Sequence, residues 1–267
     1  MSNDFVQYGS HSWPANWLIP KHLPNGVRAV CTTREGGESK VPYESFNLGN
    51  HVGDDEQHVK KNRQHLQSLL GVRPVFLKQV HAWDVIEISN GIIDDTVADV
   101  CFTSQKQIAC TIMVADCLPV LAWNSSGTWV GAAHAGWRGL LGSDGRGVFE
   151  VLVSSLPNHV KVSDLHVWLG PCIGPTAFEV GEDVYSAFVS QSAQSHNAFV
   201  PHQQQSQKWW ADLQSLARKR LQHLGVQHID GNDGSSDWCT VLNRELFFSH
   251  RRDKVSGRFA ACIWIDT

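Results

Sequence analysis

The chain has no membrane-length apolar run, no paired cysteine motif and no surplus of charge of one sign. Its longest apolar stretch, Ile108 to Trp123, covers about 16 residues and is interrupted by Asp116 and Pro119. A bilayer-spanning helix needs roughly 20. Met1 to Asp4 carry neither a basic region nor an apolar stretch, so no secretory signal is read there and a soluble cytoplasmic protein is expected. None of the seven cysteines stands in a C-x-x-C pair, which argues against a zinc knuckle or a thioredoxin-type site. In a reducing compartment about five of them are expected to be small buried hydrophobes. Lys and Arg number 22 against 26 Asp and Glu, a net charge of −4 with histidine neutral. That balance excludes the clustered basic face of a non-specific nucleic-acid binder. Glycine periods, heptads, internal repeats and linkers are absent too, which excludes collagen, coiled coil and repeat architectures. Methionine is scarce, with only Met1 and Met113.

What the chain does have is apolar content. Hydrophobic residues make up 42% and charged residues 18% of 267 positions, which excludes a disordered chain. A chain of this length buries about three quarters of its unfolded surface. Runs rich in β-branched, aromatic or small apolar residues predict strands over Val27–Thr33, Val75–Val80, Val85–Ser89, Ile108–Val114, Pro119–Trp123, Thr128–Ala133, Leu165–Leu169 and Phe259–Ile265. Several lack a polar face, so sheets covered on both sides are expected. Helical spacing is clearest over Asp55–Leu70, with Asp54 as N-cap, Gln57 three residues on and Gly71 closing the end. It recurs over Ala211–Leu224 before Gly225, and more weakly over Gly147–Leu156 and Glu182–Val189. Gln191–Gln207 and Gly231–Asp237 read as loops. The prediction is one α+β domain over residues 1–267, with a mixed β-sheet core flanked by helices.

Three segments place a polar group where packing does not ask for one. Phe76-Leu77-Lys78-Gln79-Val80-His81 is a strand ending in histidine. Met113-Val114-Ala115-Asp116-Cys117-Leu118-Pro119 puts an acid and a thiol inside an apolar run. Gly131-Ala132-Ala133-His134-Ala135-Gly136-Trp137-Arg138-Gly139 is a strand of small residues that reaches a histidine and turns through glycines. His81, Cys117 and His134 together offer two imidazoles and a thiolate, a set that Zn²⁺ accepts while keeping a fourth position open. The spacing matches no compact metal motif, and a core histidine is the competing reading of each imidazole.

These segments resemble a known family. Gln79-Val80-His81, Ala115-Asp116-Cys117, His134-Ala135-Gly136-Trp137-Arg138-Gly139, Gly170-Pro171-Cys172-Ile173-Gly174-Pro175 and Phe247-Phe248-Ser249-His250-Arg251-Arg252-Asp253 look like the multicopper polyphenol oxidase, or laccase-domain, family. Its members are described as purine nucleoside phosphorylases and peptidoglycan editing factors. Thr32-Thr33-Arg34-Glu35-Gly36-Gly37 and Phe46-Asn47-Leu48-Gly49-Asn50-His51-Val52-Gly53-Asp54 match its N-terminal signature. The likeness runs in one order from about Val27 to Ile265. It implies that His81, Cys117 and His134 hold the metal, Zn²⁺ with Cu²⁺ as the other ion. It implies phosphorolysis of adenosine, inosine and methylthioadenosine, with adenosine deamination as a second activity. It also implies the α+β fold of the cytotoxic-necrotizing-factor and laccase-domain type. Two departures stand out: Leu140–Gly147 is several residues longer than the family pattern, and His250 stands where tyrosine is usual.

The residues suit that chemistry. Phosphorolysis needs an anion beside the sugar C1′ and stabilisation of the departing base. Arg34, Arg138, Arg251 and Arg252 are candidate phosphate ligands, with Arg34 and Arg138 favoured because they sit in glycine-flanked turns. A structural ion pair is the competing reading of each. Asp116 would shuttle protons or orient a ligand imidazole. Asn47, Gln79 and Arg251 are candidate substrate-binding residues, Gln79 having backbone satisfaction as its alternative. Trp137 and Phe178 would stack on a purine or pack in the core. Purine nucleosides and phosphate are therefore the expected partners, and no nucleic acid or membrane is. Trp123, Trp137, Trp168 and Trp264 read as buried, which disfavours a purely binding protein with an exposed aromatic patch.

Copper oxidase chemistry is disfavoured. A blue-copper centre adds a weak axial methionine to His₂Cys. Met113 is four residues before Cys117, about 13 Å away if both share one strand. The H-x-H pairs of a trinuclear cluster are absent, and so is the H-x-E with P-C-x-x-C signature of zinc deaminases. A cysteine-nucleophile hydrolase acting in peptidoglycan editing is the other enzyme reading. Cys117 would attack, His134 or His81 would be the base, and Asp116 would orient it.

Overall fold

The computed structural model describes residues 13–266; Met1 to Asp4, which read as no secretory signal, lie outside them. The elements, in chain order, are β1 (Val27–Cys31), α1 (Glu56–Leu70), β2 (Arg73–Phe76), β3 (Val85–Glu87), β4 (Val100–Thr103), β5 (Ile108–Val114), β6 (Leu118–Asn124), β7 (Val130–Ala135), α2 (Trp137–Leu141), α3 (Val148–Ser154), β8 (Leu165–Leu169), β9 (Glu179–Gly181), α4 (Glu182–Gln191), β10 (Phe199–Pro201), β11 (Lys208–Ala211), α5 (Leu213–His223), β12 (His228–Gly231), α6 (His250–Asp253) and β13 (Phe259–Ile265).

Two mixed sheets stack face to face. One has the order β1-β13-β5-β2 and the other β12-β8-β6-β7-β4-β3. The pairs β2/β5, β3/β4 and β8/β12 are parallel and the rest antiparallel. A small antiparallel sheet, β10-β11-β9, adds Val180, Phe199 and Ala211 to the core on the helix side of the six-stranded sheet. The period-2 geometry of a strand explains how a run such as β13 stays apolar throughout. Phe259, Ala261, Ile263 and Ile265 join the core between the sheets, with Leu121 and Trp123 of β6 and Val130 and Ala132 of β7. Ala260, Cys262 and Trp264 face the other way and pack with Leu66 and Leu70 of α1. On the far side of the six-stranded sheet, Val120 and Ala133 meet Phe149 and Leu152 of α3 and Leu213 and Leu216 of α5. The result is helix, sheet, sheet, helix, and it is why the apolar strands read as two-sided. No helix among the described residues is long and apolar enough to cross a membrane.

The structure moves several sequence boundaries. The N-cap of α1 is Asp55, whose side chain accepts from Gln57 N. Asp54, the expected cap, instead accepts from Asn47 Nδ2 at 2.8 Å. Gly71 closes α1 in the left-handed region, φ 71°, as expected. The stretch Gln191–Gln207 is not all loop: it holds a 3₁₀ turn at Ala193–Ala198 and then β10. The strand predicted to end in His81 stops at Phe76. Six cysteines are buried and Cys117 is partly open. Trp123, Trp168 and Trp264 are buried, but Trp137 is only half so.

Asn62 ties α1 to the N-terminal signature. It is fully buried, its Nδ2 reaches Ser39 Oγ, Ser45 O and Asn47 O at 2.8–3.1 Å, and its Oδ1 accepts from Glu38 N at 2.8 Å. Asn62→Ala removes all four bonds in a site closed to water, and of the groups involved Ser45 O keeps Ser39 N as a partner. A loss of about 3 kcal/mol in urea unfolding is expected; a loss below about 1 kcal/mol would mean that the loop re-pairs its own backbone.

Candidate metal centre and the cavity above it

Three chain reversals bring the donors together. β5 ends at Val114, and the chain turns through Ala115 to Cys117, with Asp116 at φ 88°, before β6 begins. The thiol therefore stands where the chain passes from the four-stranded to the six-stranded sheet. His134 is the penultimate residue of β7, the neighbour of β6. His81 follows β2 in a turn at φ 62°. One donor atom of each of the three lies within 4.8 Å of the others. Cys117 Sγ is 3.7 Å from His81 Nε2. Tetrahedral zinc, with Zn–S near 2.3 Å and Zn–N near 2.0–2.1 Å, sets its S and N about 3.5 Å apart, so the donor set fits that ion. Glycine at 136 keeps the site open: a Cβ there would lie 3.1 Å from His81 Cδ2 and 3.2 Å from Cys117 Sγ.

Asp99, fully buried just before β4, organises two of the donors. Its Oδ1 accepts from His134 Nδ1 at 2.7 Å and from His81 N at 3.0 Å. Its Oδ2 accepts from Val80 N at 3.0 Å and Ala82 N at 2.9 Å. With a carboxylate on Nδ1, His134 carries a proton there and turns Nε2 toward the thiol, the arrangement that serves a metal ligand. Burial acts to raise the Asp99 carboxyl, but the His134 hydrogen bond and charge and the Val80 and Ala82 amides hold it below its ordinary range. Burial likewise acts to raise the Cys117 thiol; the charge and hydrogen bond of His134, then those of His81, bring it down to about 6. Burial acts to lower His134, and Cys117 and Asp99 lift it to about 9. Both shifts favour thiolate and imidazolium over the neutral pair, and from that state ligation displaces a proton from His134.

A cavity of about 580 Å³ opens above these donors. That is the size of a small-molecule site. Gln79, Asp116, Arg138 and Arg251 line it, as do Trp137 and Phe178. Gln79 is bound to the backbone of Met113 on both sides, Nε2 to the carbonyl and the amide N–H to Oε1, each at 2.8 Å. Asp116 accepts from Thr240 Oγ1 and from Arg251 N, both at 2.6 Å. Arg251 donates to the carbonyls of Ala177 and Glu179. Arg138 has the Trp137 ring beneath it, 4.3 Å from its centroid.

Two expected site residues lie elsewhere. Arg34 opens on a separate surface cavity, where its guanidinium donates to the carbonyls of Glu44 and Arg244. Its glycine-flanked turn made a phosphate role plausible; the long-range carbonyls that consume its donors are invisible in local sequence. Asn47 is fully buried and does not line the cavity. Its Oδ1 accepts from Arg258 N and Gly49 N at 2.8 and 2.9 Å, so it acts on the site through Arg258. Arg252 donates to Thr240, Val241 and Phe247 carbonyls and pairs with Asp253. Met113 and Cys117 do not share a strand, so the 13 Å argument against an axial methionine falls. The Met113 sulfur instead lies 3.9 Å from Arg63 Nη2.

The sequence reading missed Asp99, Arg258, His51 and Lys254. The last three line the cavity. Asp99 had a signal, an acid in the apolar run Val97-Ala98-Asp99-Val100. Arg258 had none, since it follows a turn that reads as surface.

Known proteins are similar to this chain over nearly its whole length. A family model described as multi-copper polyphenol oxidoreductase laccase matches residues 28–266. An Escherichia coli (strain K12) protein named purine nucleoside phosphorylase YfiH is 44% identical over 244 residues, 91% of this chain and 95% of its own. A Haemophilus influenzae protein named purine nucleoside phosphorylase is 42% identical over 94% of this chain and 98% of its own. Among solved structures, a Neisseria meningitidis protein superposes with a TM-score of 0.87 at 40% identity, covering 94% of this chain and all of that one. YlmD from Geobacillus stearothermophilus gives 0.84 at 30% identity, with 99% of each chain covered. The family match and the near-full-length similarity lead to one conclusion: the chain belongs to the family described as multi-copper polyphenol oxidoreductase laccase.

Proposed function

We propose that the chain is a zinc-dependent purine nucleoside phosphorylase. In this reading it acts on adenosine, inosine and methylthioadenosine, and adenosine deamination is a second activity of the same centre. The observation that carries the reading is the convergence of His81, Cys117 and His134 on a cavity whose lining charges are mostly cations. Relatives named for the phosphorylase activity support it. Zinc, when bound, supplies Lewis acidity at the purine.

The chain's own residues do the rest. A phosphate oxygen attacks C1′ while the C1′–N9 bond breaks, and the base leaves with the electron pair and takes up a proton. The cationic lining holds the phosphate dianion beside the sugar. Phe178 and the half-buried Trp137 offer ring faces to the purine. Asp116, with both oxygens already accepting, fixes the Cys117 turn and the backbone of Arg251. Gln79 does the same for Met113 and is a positioning residue. A cytoplasmic location belongs to the same reading, and the free thiols of the chain suit a reducing compartment.

The expected result is phosphate-dependent release of hypoxanthine from inosine by zinc-loaded protein, lost on chelation and restored by zinc. Hypoxanthine release that ignores phosphate would overturn the phosphorylase reading. One observation favours a second reading. Cys117, His134 and Asp99 form the thiol, imidazole and carboxylate chain of a cysteine hydrolase, for which peptidoglycan fragments would be the substrate. A hydrolase of that kind keeps its activity in chelator. The short approach of His81 to the same sulfur favours the metal.

A further inference from the structure

Of the cations lining the cavity, Arg258 is anchored at its backbone and at one edge of its guanidinium while the other edge is left over. Its N–H donates to Asn47 Oδ1 at 2.8 Å and its carbonyl accepts from Leu48 N at 3.0 Å. Its stem packs on Gly49, where a Cβ would come within 2.8 Å of Arg258 Cγ. Nη1 donates to the carbonyls of Ser256 and Gly257, both at 2.9 Å. Nε and Nη2 make no hydrogen bond to the described residues, and no carboxylate of those residues lies within 4.0 Å of the guanidinium. The group is half-buried, and burial draws its pKa down, against the opposing charges of Cys117 and Asp116. A partly desolvated cation without a direct counter-ion is costly by itself. Its cost is recovered when an anion binds, and two free N–H groups on one planar edge match two oxygens of a phosphate.

The other cations serve less well. Arg251 spends its guanidinium on the Ala177 and Glu179 carbonyls. Arg138 and Lys254 are exposed, where charge is screened by water.

We propose that Arg258 is the phosphate-binding residue of this cavity, holding an inorganic phosphate dianion beside the metal donors. The assignment rests on the phosphorylase reading for its meaning, but the anion site can be tested separately. It gives Asn47 a role that the sequence misread: the asparagine positions Arg258 and does not touch substrate. It also explains why the N-terminal signature and the C-terminal strand meet here.

The test is calorimetric titration of zinc-loaded protein with inorganic phosphate, and separately with inosine. Arg258→Gln should weaken phosphate binding about 30-fold, the value of a lost charged hydrogen-bond pair, and change inosine binding less than about threefold. Arg258→Lys, which keeps charge but not the fork, should fall between. In unmutated protein, phosphate should also protect Arg258 from phenylglyoxal, read by mass spectrometry, so the result does not depend on a variant folding. Equal phosphate binding in Arg258→Gln, or no protection of Arg258, overturns the assignment. If phosphate binds at Arg258 yet inosine is not cleaved, the anion site stands and the phosphorylase reading falls. If inosine is cleaved with an unchanged phosphate KM in Arg258→Gln, the phosphorylase reading stands and this assignment falls.

Discussion

Cys117→Ala should yield a folded protein that no longer retains zinc through gel filtration and has lost about 10³-fold in kcat/KM for inosine. The thiolate is the one anionic donor of the set, and its removal leaves two neutral imidazoles to hold a dication. The variant should fold because Cys117 sits in the turn between the two sheets, half-open to solvent, and the buried strands β5 and β6 on either side are unchanged. Two measurements decide it: zinc per chain by elemental analysis, and the rise of melting temperature on adding zinc, which the unmutated protein should show and the variant should not. Retained zinc with lost activity would point instead to Cys117 as a nucleophile. Retained activity without zinc would end the metal reading altogether.

The second large effect is expected at Asp99, a residue that touches neither substrate nor metal. Asp99→Asn is nearly isosteric and still severe. Both carboxylate oxygens accept from N–H groups: His134 Nδ1 and His81 N on one, Val80 N and Ala82 N on the other. Whichever way the amide is turned, its NH₂ faces donors. The turn that carries His81 then loses its anchor, and His134 loses the carboxylate that fixes its tautomer. Zinc affinity should fall 10–100-fold, roughly the range for losing a carboxylate behind a ligand imidazole. Stability in urea should fall by about 3 kcal/mol, since the charged hydrogen bonds are buried. Competition with a chelator measures the first and equilibrium unfolding the second. If Asp99→Asn keeps zinc affinity within about twofold, Asp99 is a fold residue only and the tautomer argument fails.

Local pattern was enough for much of the frame. The two-sided apolar runs announced covered sheets because alternate side chains of one strand face opposite layers, as in β13. Gly71 and the spacing of Val59, Leu66 and Leu70 gave the end and the buried face of α1. The N-cap slipped by one residue because Asp54 and Asp55 are both competent caps, and only the tertiary pull of Asn47 on Asp54 chooses between them. The small sheet was hidden because its strands are only three or four residues long, too short to show apolar alternation, and β10 sits in a Ser- and Gln-rich stretch.

Composition and order by themselves determined that this chain folds around apolar sheets, and that His81, Cys117 and His134 are polar groups in places packing does not require. They could not decide which of the other polar residues belong beside those three. An arginine is free to hold an anion or serves as a strut according to what lies within hydrogen-bond reach of its nitrogens. For Arg34 that is Glu44 and Arg244 carbonyls, the latter 210 residues away. For Arg258 it is Asn47, 211 residues away, at the backbone, with guanidinium donors to spare. Hydrogen bonds act over about 3 Å, and sequence carries no record of which distant segments come that close. Only the tertiary pairing of strands, which sets β13 beside β1 and the N-terminal signature and β7 beside β6 after the Cys117 turn, settles it.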